Sequence, residues 1–303
     1  MASLVYRICT LSSVRRSSYL IPSLSSSFRH YSSSSSSNAK LSAMDGSEGV
    51  LQFFNRAKDR AATQMTRYVE HNVFPPSNWM LKNFFLFTKL QLPTNTEIDA
   101  IEFLNGARFA CDLAVNTMYS REFVNFATGA ISESPAAEKM KLGLSAACYE
   151  AFLSAMKETS MMDNRFTLKQ LDINGAYLYD VIWDRMSLAT LKQEEALEAY
   201  NRVQVATLEQ AEEDTTVEEG KTSAVKGART VVERLTADIT PADHTTMVER
   251  LQLDVLLETV EYLEIATSEG ADQILDKRSS AVWRFESLVT QPEDVDWRIV
   301  TVF

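Results

Sequence analysis

Apolar residues along this chain fall first on a helical period and later on an alternating one. From Val50 to Val69 the positions Val50, Phe54, Ala57, Ala61, Met65 and Tyr68 recur every three or four residues. Arg56, Lys58, Arg60 and Arg67 sit largely off that stripe, which predicts an amphipathic helix. Pro75-Pro76 forbids its continuation, and Ser77 or Asn78 is placed to cap a new helix through WMLKNFFLFTKLQL, Trp79 to Leu92. Thr94 or Thr96 is set to cap the next one, with Glu97 and Asp99 in its first turn, where the helix dipole favours acids. Its apolar side, from Ile98 through Phe103, Leu104 and Ala107 to Met118, is broad enough to be buried against a sheet. A turn of helix over Phe123 to Thr128 breaks at Gly129, and another helix runs from Ser134-Pro135 to about Thr159.

The period then shortens to two. Arg165 to Asp184 reads as extended, with Asn174-Gly175 as a turn signal and Tyr177, Tyr179, Val181 and Trp183 alternating after it. Leu251, Leu253, Val255 and Leu257 alternate within Met247 to Ile265. Ala281 to Val289 and Trp297 to Phe303 are further strands, paired as a hairpin by the short QPEDVD connection. Between the first strands and the later ones lies an acidic stretch, Ser187 to Asp238, which reads as a polar helix dissolving near Asp214; such a run is usually a solvated face and alternatively an interaction arm. Helices first and strands later predict an α+β fold: N-terminal helices packed on one face of a twisted, largely antiparallel sheet with an acidic helical insertion at about 187–238. Sheets of this kind often curl into a cystatin-like or nuclear-transport-factor-2-like cone.

Composition changes the picture at the front of the chain. Residues 1–44 hold no Asp or Glu, five basic residues (Arg7, Arg15, Arg16, Arg29, Lys40) and a Ser-rich background, which reads as a mitochondrial presequence and linker. Arg29-His30-Tyr31-Ser32 resembles a matrix-peptidase cut, placing the mature start near Ser32. Ser-rich, acid-poor leaders also serve chloroplasts, and the arginine density favours the mitochondrion. Residues 45–92 form a basic and aromatic front, with six basic residues against two acids from Val50 to Leu92. The body from Pro93 on, residues 93–303, carries 19 basic against 37 acidic residues, which argues against a nucleic-acid-wrapping surface.

Candidate chemistry is sparse. Cys111 and Cys148 have no CxxC partner and read as buried free thiols, and no His/Cys cluster has metal-ligand spacing, so neither a cofactor nor a metal is expected. The 14-residue aromatic segment is too short to span a bilayer at about 20 residues per span. It reads as a core helix or as a segment lying in a membrane interface, where phenylalanines dip in and lysines reach phosphates. Candidate membrane- or partner-binding residues are therefore Arg56, Lys58, Arg60, Arg67, Lys82 and Lys89, with Trp79, Phe84, Phe85 and Phe87 as apolar anchors.

The phrase Phe103-Leu104-x-Gly106-Ala107-Arg108 behind the aromatic segment, and VWRFESLVTQPEDVDWRIV with Trp283, Phe285, Pro292, Trp297, Arg298 and Ile299, resemble mitochondrial proteins that share the C-terminal domain of translocase of the inner membrane subunit 44. The likeness covers about Val50 to Asp184 and Val248 to Phe303; it runs closest to the branch that interacts with the matrix AAA peptidase and more distantly to mitoribosomal large-subunit and ribosome-receptor branches. The acidic insertion departs from the family's brief connection. The resemblance implies a non-enzymatic matrix adaptor, peripheral on inner-membrane lipids, that assists protein biogenesis or quality control by docking the AAA peptidase or the mitoribosome. Its matched residues read as scaffold: Gly106 and Ala107 for close helix-to-sheet approach, and Trp283, Phe285 and Trp297 for the core. The alternatives are a stoichiometric mitoribosomal or import-motor component, and an enzyme using Tyr177, Tyr179, Asp180 or Trp183 in the mouth of a cone.

Overall fold

The computed structural model describes residues 61–160, 165–213, 238–266 and 273–303. The presequence and its cut near Ser32, Arg56, Lys58 and Arg60, and the end of the acidic helix near Asp214 lie outside those residues. Helix α1 occupies 61–70. It is followed by α2 (Met80–Leu90), α3 (Ala100–Met118), α4 (Arg121–Ala127), α5 (Pro135–Gly143) and α6 (Ala146–Ser160). Then come β1 (Arg165–Ser187), α7 (Leu188–Glu213), β2 (Met247–Ala266), β3 (Gln273–Leu288) and β4 (Arg298–Val302). The four strands form one sheet in the order β1-β2-β3-β4, each antiparallel to its neighbour, so the fold is α+β.

The alternation in β2 decides where the core lies. Leu251, Leu253, Val255 and Leu257 point to one face and are fully enclosed there. Trp283 and Phe285, cross-strand from Val255 and Leu253, extend the same face onto β3. Against it α3 sets Phe103 edge-on to Phe285, with ring centroids 5.5 Å apart, and against Trp297 at 4.7 Å. Phe152 of α6 meets Trp283 at 6.4 Å. Each such pair is worth about 0.5–1.5 kcal/mol beyond its buried area.

Several local expectations are corrected. Neither Thr94 nor Thr96 caps α3: Asp99 does, accepting from the Ile101 N–H at 2.9 Å. The two threonine hydroxyls are drawn into tertiary bonds instead, Thr94 to the Glu249 carboxylate and Thr96 to the Val289 carbonyl at 2.8 Å. The helix expected from Ser134 to Thr159 is two helices. Leu144 leaves the helical path to bridge Ile299 of β4, the Ser145 N–H donates to the Ile299 carbonyl at 2.8 Å, and the Ser145 hydroxyl then caps α6 by accepting from Cys148 N–H. Asn174-Gly175 makes no turn. β2 is long enough to pair with β1 over its whole length, and the pair of residues is absorbed as a register shift between Ile173 and Gly175, with the Tyr177 ring lying over the glycine. Gly106 is not needed for close packing, since a Cβ there would meet nothing within 4 Å.

Helices also cover more than one face. Arg250 points away from the Leu251 side, and α7 reaches it there: Glu194 accepts from Arg250 at 2.9 Å, and Asp184 of β1 at 3.2 Å. Lys192 pairs with Asp243 at 2.8 Å, while Ala189, Leu191 and Ala196 are buried. The first part of the acidic insertion is thus packed onto the sheet rather than free in solvent.

Candidate functional site

The site is assembled around α2. Helix α1 stops at a Schellman turn: Asn72 takes the left-handed φ of 52°, its N–H bonds the Val69 carbonyl, and the Val73 N–H bonds the Tyr68 carbonyl at 2.9 Å. The chain then runs past the edge of β1, where the Val73 carbonyl accepts from Leu178 N–H at 2.7 Å. This covers part of an otherwise open strand edge. After Pro75-Pro76, α2 begins with Trp79 at its N-cap and no side-chain capping bond, so Ser77 and Asn78 do not serve as caps.

One face of α2 belongs to the core. Leu86, Phe87 and Leu90 are buried, and the Phe87 ring stands edge-on to Tyr68 at 5.9 Å. Tyr68 is itself fully enclosed; its hydroxyl accepts from Ala100 N–H at 3.1 Å, and burial pushes its ionisation up. Phe87, a candidate anchor on sequence grounds, is therefore corrected to a core residue: only 5% of it meets solvent.

The other face is apolar, and no described residue covers it. Met80 is 84% exposed, Trp79 65%, Phe85 55%, Phe84 53% and Leu81 44%. Met80 with Phe84, and Leu81 with Phe85, stand one turn apart and make a single outward stripe. A helix that is hydrophobic all round is ordinarily buried all round. Among the described residues the outer half of α2 has no partner, and contiguous exposed apolar surface of this kind makes it the candidate interaction face. Met80 and Leu81 are not among the candidates that the sequence offers, although they lie four residues before Phe84 and Phe85 on the same helical face.

The described basic candidates are fastened to the protein's own body. Lys82 Nζ lies 4.7 Å from the centre of the Tyr179 ring. Lys89 Nζ sits 3.0 Å from Asp180 Oδ1, and Arg67 lies 3.1 Å from Asp99. Arg67 and Lys89 are about half exposed, so each of these two ion pairs contributes about 0–1 kcal/mol and still leaves its cation in contact with water. The same contacts occupy two of the residues considered for enzyme chemistry: Asp180 also accepts from Val181 N–H at 2.8 Å. Tyr177 covers Gly175, and Trp183 packs partly buried against the core. The four do not converge on a common point from separate elements; Tyr179 and Asp180 dock α2 to the sheet edge.

No protein family, curated protein or solved structure matches this chain. Phe103, Leu104, Ala107, Trp283 and Phe285 are buried scaffold, while Arg108 is exposed. Among the described residues no group of three or more His, Cys, Asp or Glu side chains is placed to hold a metal ion, and no helix is long and apolar enough to cross a membrane.

The most buried charged side chain among the described residues is equally structural. Glu261 accepts from the Tyr119 hydroxyl at 2.8 Å and from Lys277 Nζ at 2.9 Å on each oxygen. Burial, then the Glu261 charge, pushes the Tyr119 ionisation far upward, so this phenol stays protonated and donating. Burial also raises the Cys111 and Cys148 thiols to about 12, which leaves both inert as nucleophiles.

Proposed function

We propose that this protein is a non-enzymatic adaptor that docks on the matrix side of the mitochondrial inner membrane and assists protein biogenesis or quality control. The observation that carries the membrane half is the uncovered stripe Trp79, Met80, Leu81, Phe84 and Phe85 on a helix whose opposite side is locked into the core. Such a helix lies in the headgroup region with its outer side chains among the acyl chains. Lys82 and Lys89 flank the stripe, and Arg56, Lys58 and Arg60 precede it in the chain. Near an anionic surface each basic residue adds about 1 kcal/mol of attraction, which offsets the repulsion of an acidic body. The acidic body, in turn, faces away from the bilayer and is the side offered to a protein partner. The matrix AAA peptidase or the mitoribosome is the partner that the resemblance implies, and in that reading the sheet curls as a cystatin-like cone serving as scaffold rather than as a reaction chamber.

The test is co-flotation of the chain begun at Ser32 with cardiolipin-containing vesicles. Flotation is expected, weakened by salt, and lost when Trp79, Met80, Phe84 and Phe85 are all changed to Ser. Wild-type protein that stays in solution at low salt overturns the membrane assignment.

A further inference from the structure

β4 covers only part of β3. It pairs with Trp283 to Glu286, and Phe303 exchanges two backbone hydrogen bonds with Val282. Beyond that point no described strand pairs with the outer edge of β3 over 274–280. The alternation fixed at Val282 aims the N–H and C=O groups of Ser280, Arg278, Asp276 and Ile274 at this open edge, while Ala281, Ser279, Lys277 and Leu275 turn theirs toward β2. Seven residues of strand are left with half their backbone polar groups facing outward, which is a template for another strand. Ile274 and Leu275, on opposite faces of this strand, are 73% and 45% exposed.

We propose that the occupant is the same segment of a second copy of this chain, joined antiparallel about a two-fold axis at Lys277. In that register Asp276 stands opposite Arg278 of the second copy and Arg278 opposite its Asp276, while Ile274 stands opposite Ser280. Every residue so paired is one whose backbone groups face the edge, so the register satisfies the ladder as well as the side chains. Asp276 and Arg278 are both exposed, and neither takes part in an ion pair among the described residues. Two opposite charges placed two residues apart are complementary to themselves under such an axis, whereas two like charges would repel. Lys277, which would meet its own copy at the axis, is neutralised by Glu261 on the inner face of the sheet. The result is a continuous sheet of eight strands, four from each copy.

The test is sedimentation velocity of the 303-residue chain over a concentration series, which should show a reversible monomer–dimer equilibrium. Arg278→Asp should weaken the dimer by about tenfold or more, because two attractive pairs become two repulsive ones. Asp276→Arg should do the same, and the double variant Asp276→Arg/Arg278→Asp should restore the wild-type constant. All three are surface substitutions, and circular dichroism checks that they fold. A chain that stays monomeric throughout overturns the proposal. So does a dimer indifferent to Arg278→Asp, a double variant that fails to recover, or a dimer abolished by Phe84→Ser/Phe85→Ser instead, which would place association on α2.

Discussion

Three phenylalanines lie within four positions of α2, and the structure assigns them opposite costs. Phe87 is 5% exposed and packed on Tyr68; Phe84 and Phe85 are more than half exposed. Truncating Phe87 to Ala gives up a transfer term of about 2 kcal/mol for the buried ring. It also empties on the order of 100 Å³, which a rigid cavity would convert at about 24 cal/mol per Å³ to roughly 2 kcal/mol more. Partial collapse of the site around Tyr68 and Leu90 brings the expected loss to about 3–4 kcal/mol. Phe84→Ala and Phe85→Ala remove area that water already reaches, so each should stay within about 0.5 kcal/mol of wild type. Urea unfolding followed by tryptophan fluorescence, with the slope held common, measures all three. Equal losses at Phe84 and Phe87 would refute the assignment of faces, and with it the claim that an apolar stripe is left outside.

Two more expectations follow from individual side chains. Gly106→Ala should stabilise the protein by about 0.5–1 kcal/mol, because the added Cβ meets open space within α3 and the unfolded chain loses freedom; a destabilised variant by thermal denaturation would show hidden crowding. Burial raises the Glu249 carboxyl, but two hydrogen bonds from Thr94 and the nearby Arg185 and Trp183 more than reverse this and hold it below the usual range. A depressed folded value means that its stabilisation is complete above the ordinary Glu value of about 4.3 and is lost as pH falls through the folded one. Urea midpoints measured across the acid range should therefore drop below about pH 4.5. Glu249→Gln should flatten that decline without abolishing it, since Glu122 and Asp243 are shifted in the same direction. An unchanged slope in the variant would contradict the bond network.

What was legible in the sequence was whatever a periodic face controls. The alternation at Leu251, Leu253, Val255 and Leu257 located the buried face of β2, and the QPEDVD connection located the β3–β4 hairpin, because both signals are local. Three of the failures share one cause, which is that a distant segment offered a better bond than the local one. Thr94 and Thr96 are good capping residues, yet Glu249 and Val289 lie within reach and take them. Leu144 and Ser145 lie inside a helical pattern, and β4 supplies the partner that breaks it. Asn174-Gly175 is a sound turn signal that a continuous β2 overrides. In the candidate site, hydrophobicity identified Trp79 to Leu92 as the segment that matters, but two adjoining apolar faces carry no mark of which one is inside. Only the positions of Tyr68 and Leu90 decide that Phe87 is core and Phe84 is not. The ties from Lys82 to Tyr179 and from Lys89 to Asp180 span roughly a hundred residues of sequence and left no local trace.

The central claim is that the outer side of α2 enters a membrane interface. A nitroxide on Phe84→Cys in the chain begun at Ser32, which leaves out Cys9, measures this directly, since Cys111 and Cys148 are buried, with thiol ionisation raised to about 12, and leave the new thiol as the reactive one. With cardiolipin-containing vesicles the account predicts that the label becomes more accessible to oxygen and less to a polar relaxation agent than in solution, while a label at the exposed Arg108 of α3 does not change. Equal accessibility at Phe84 with and without vesicles would contradict it.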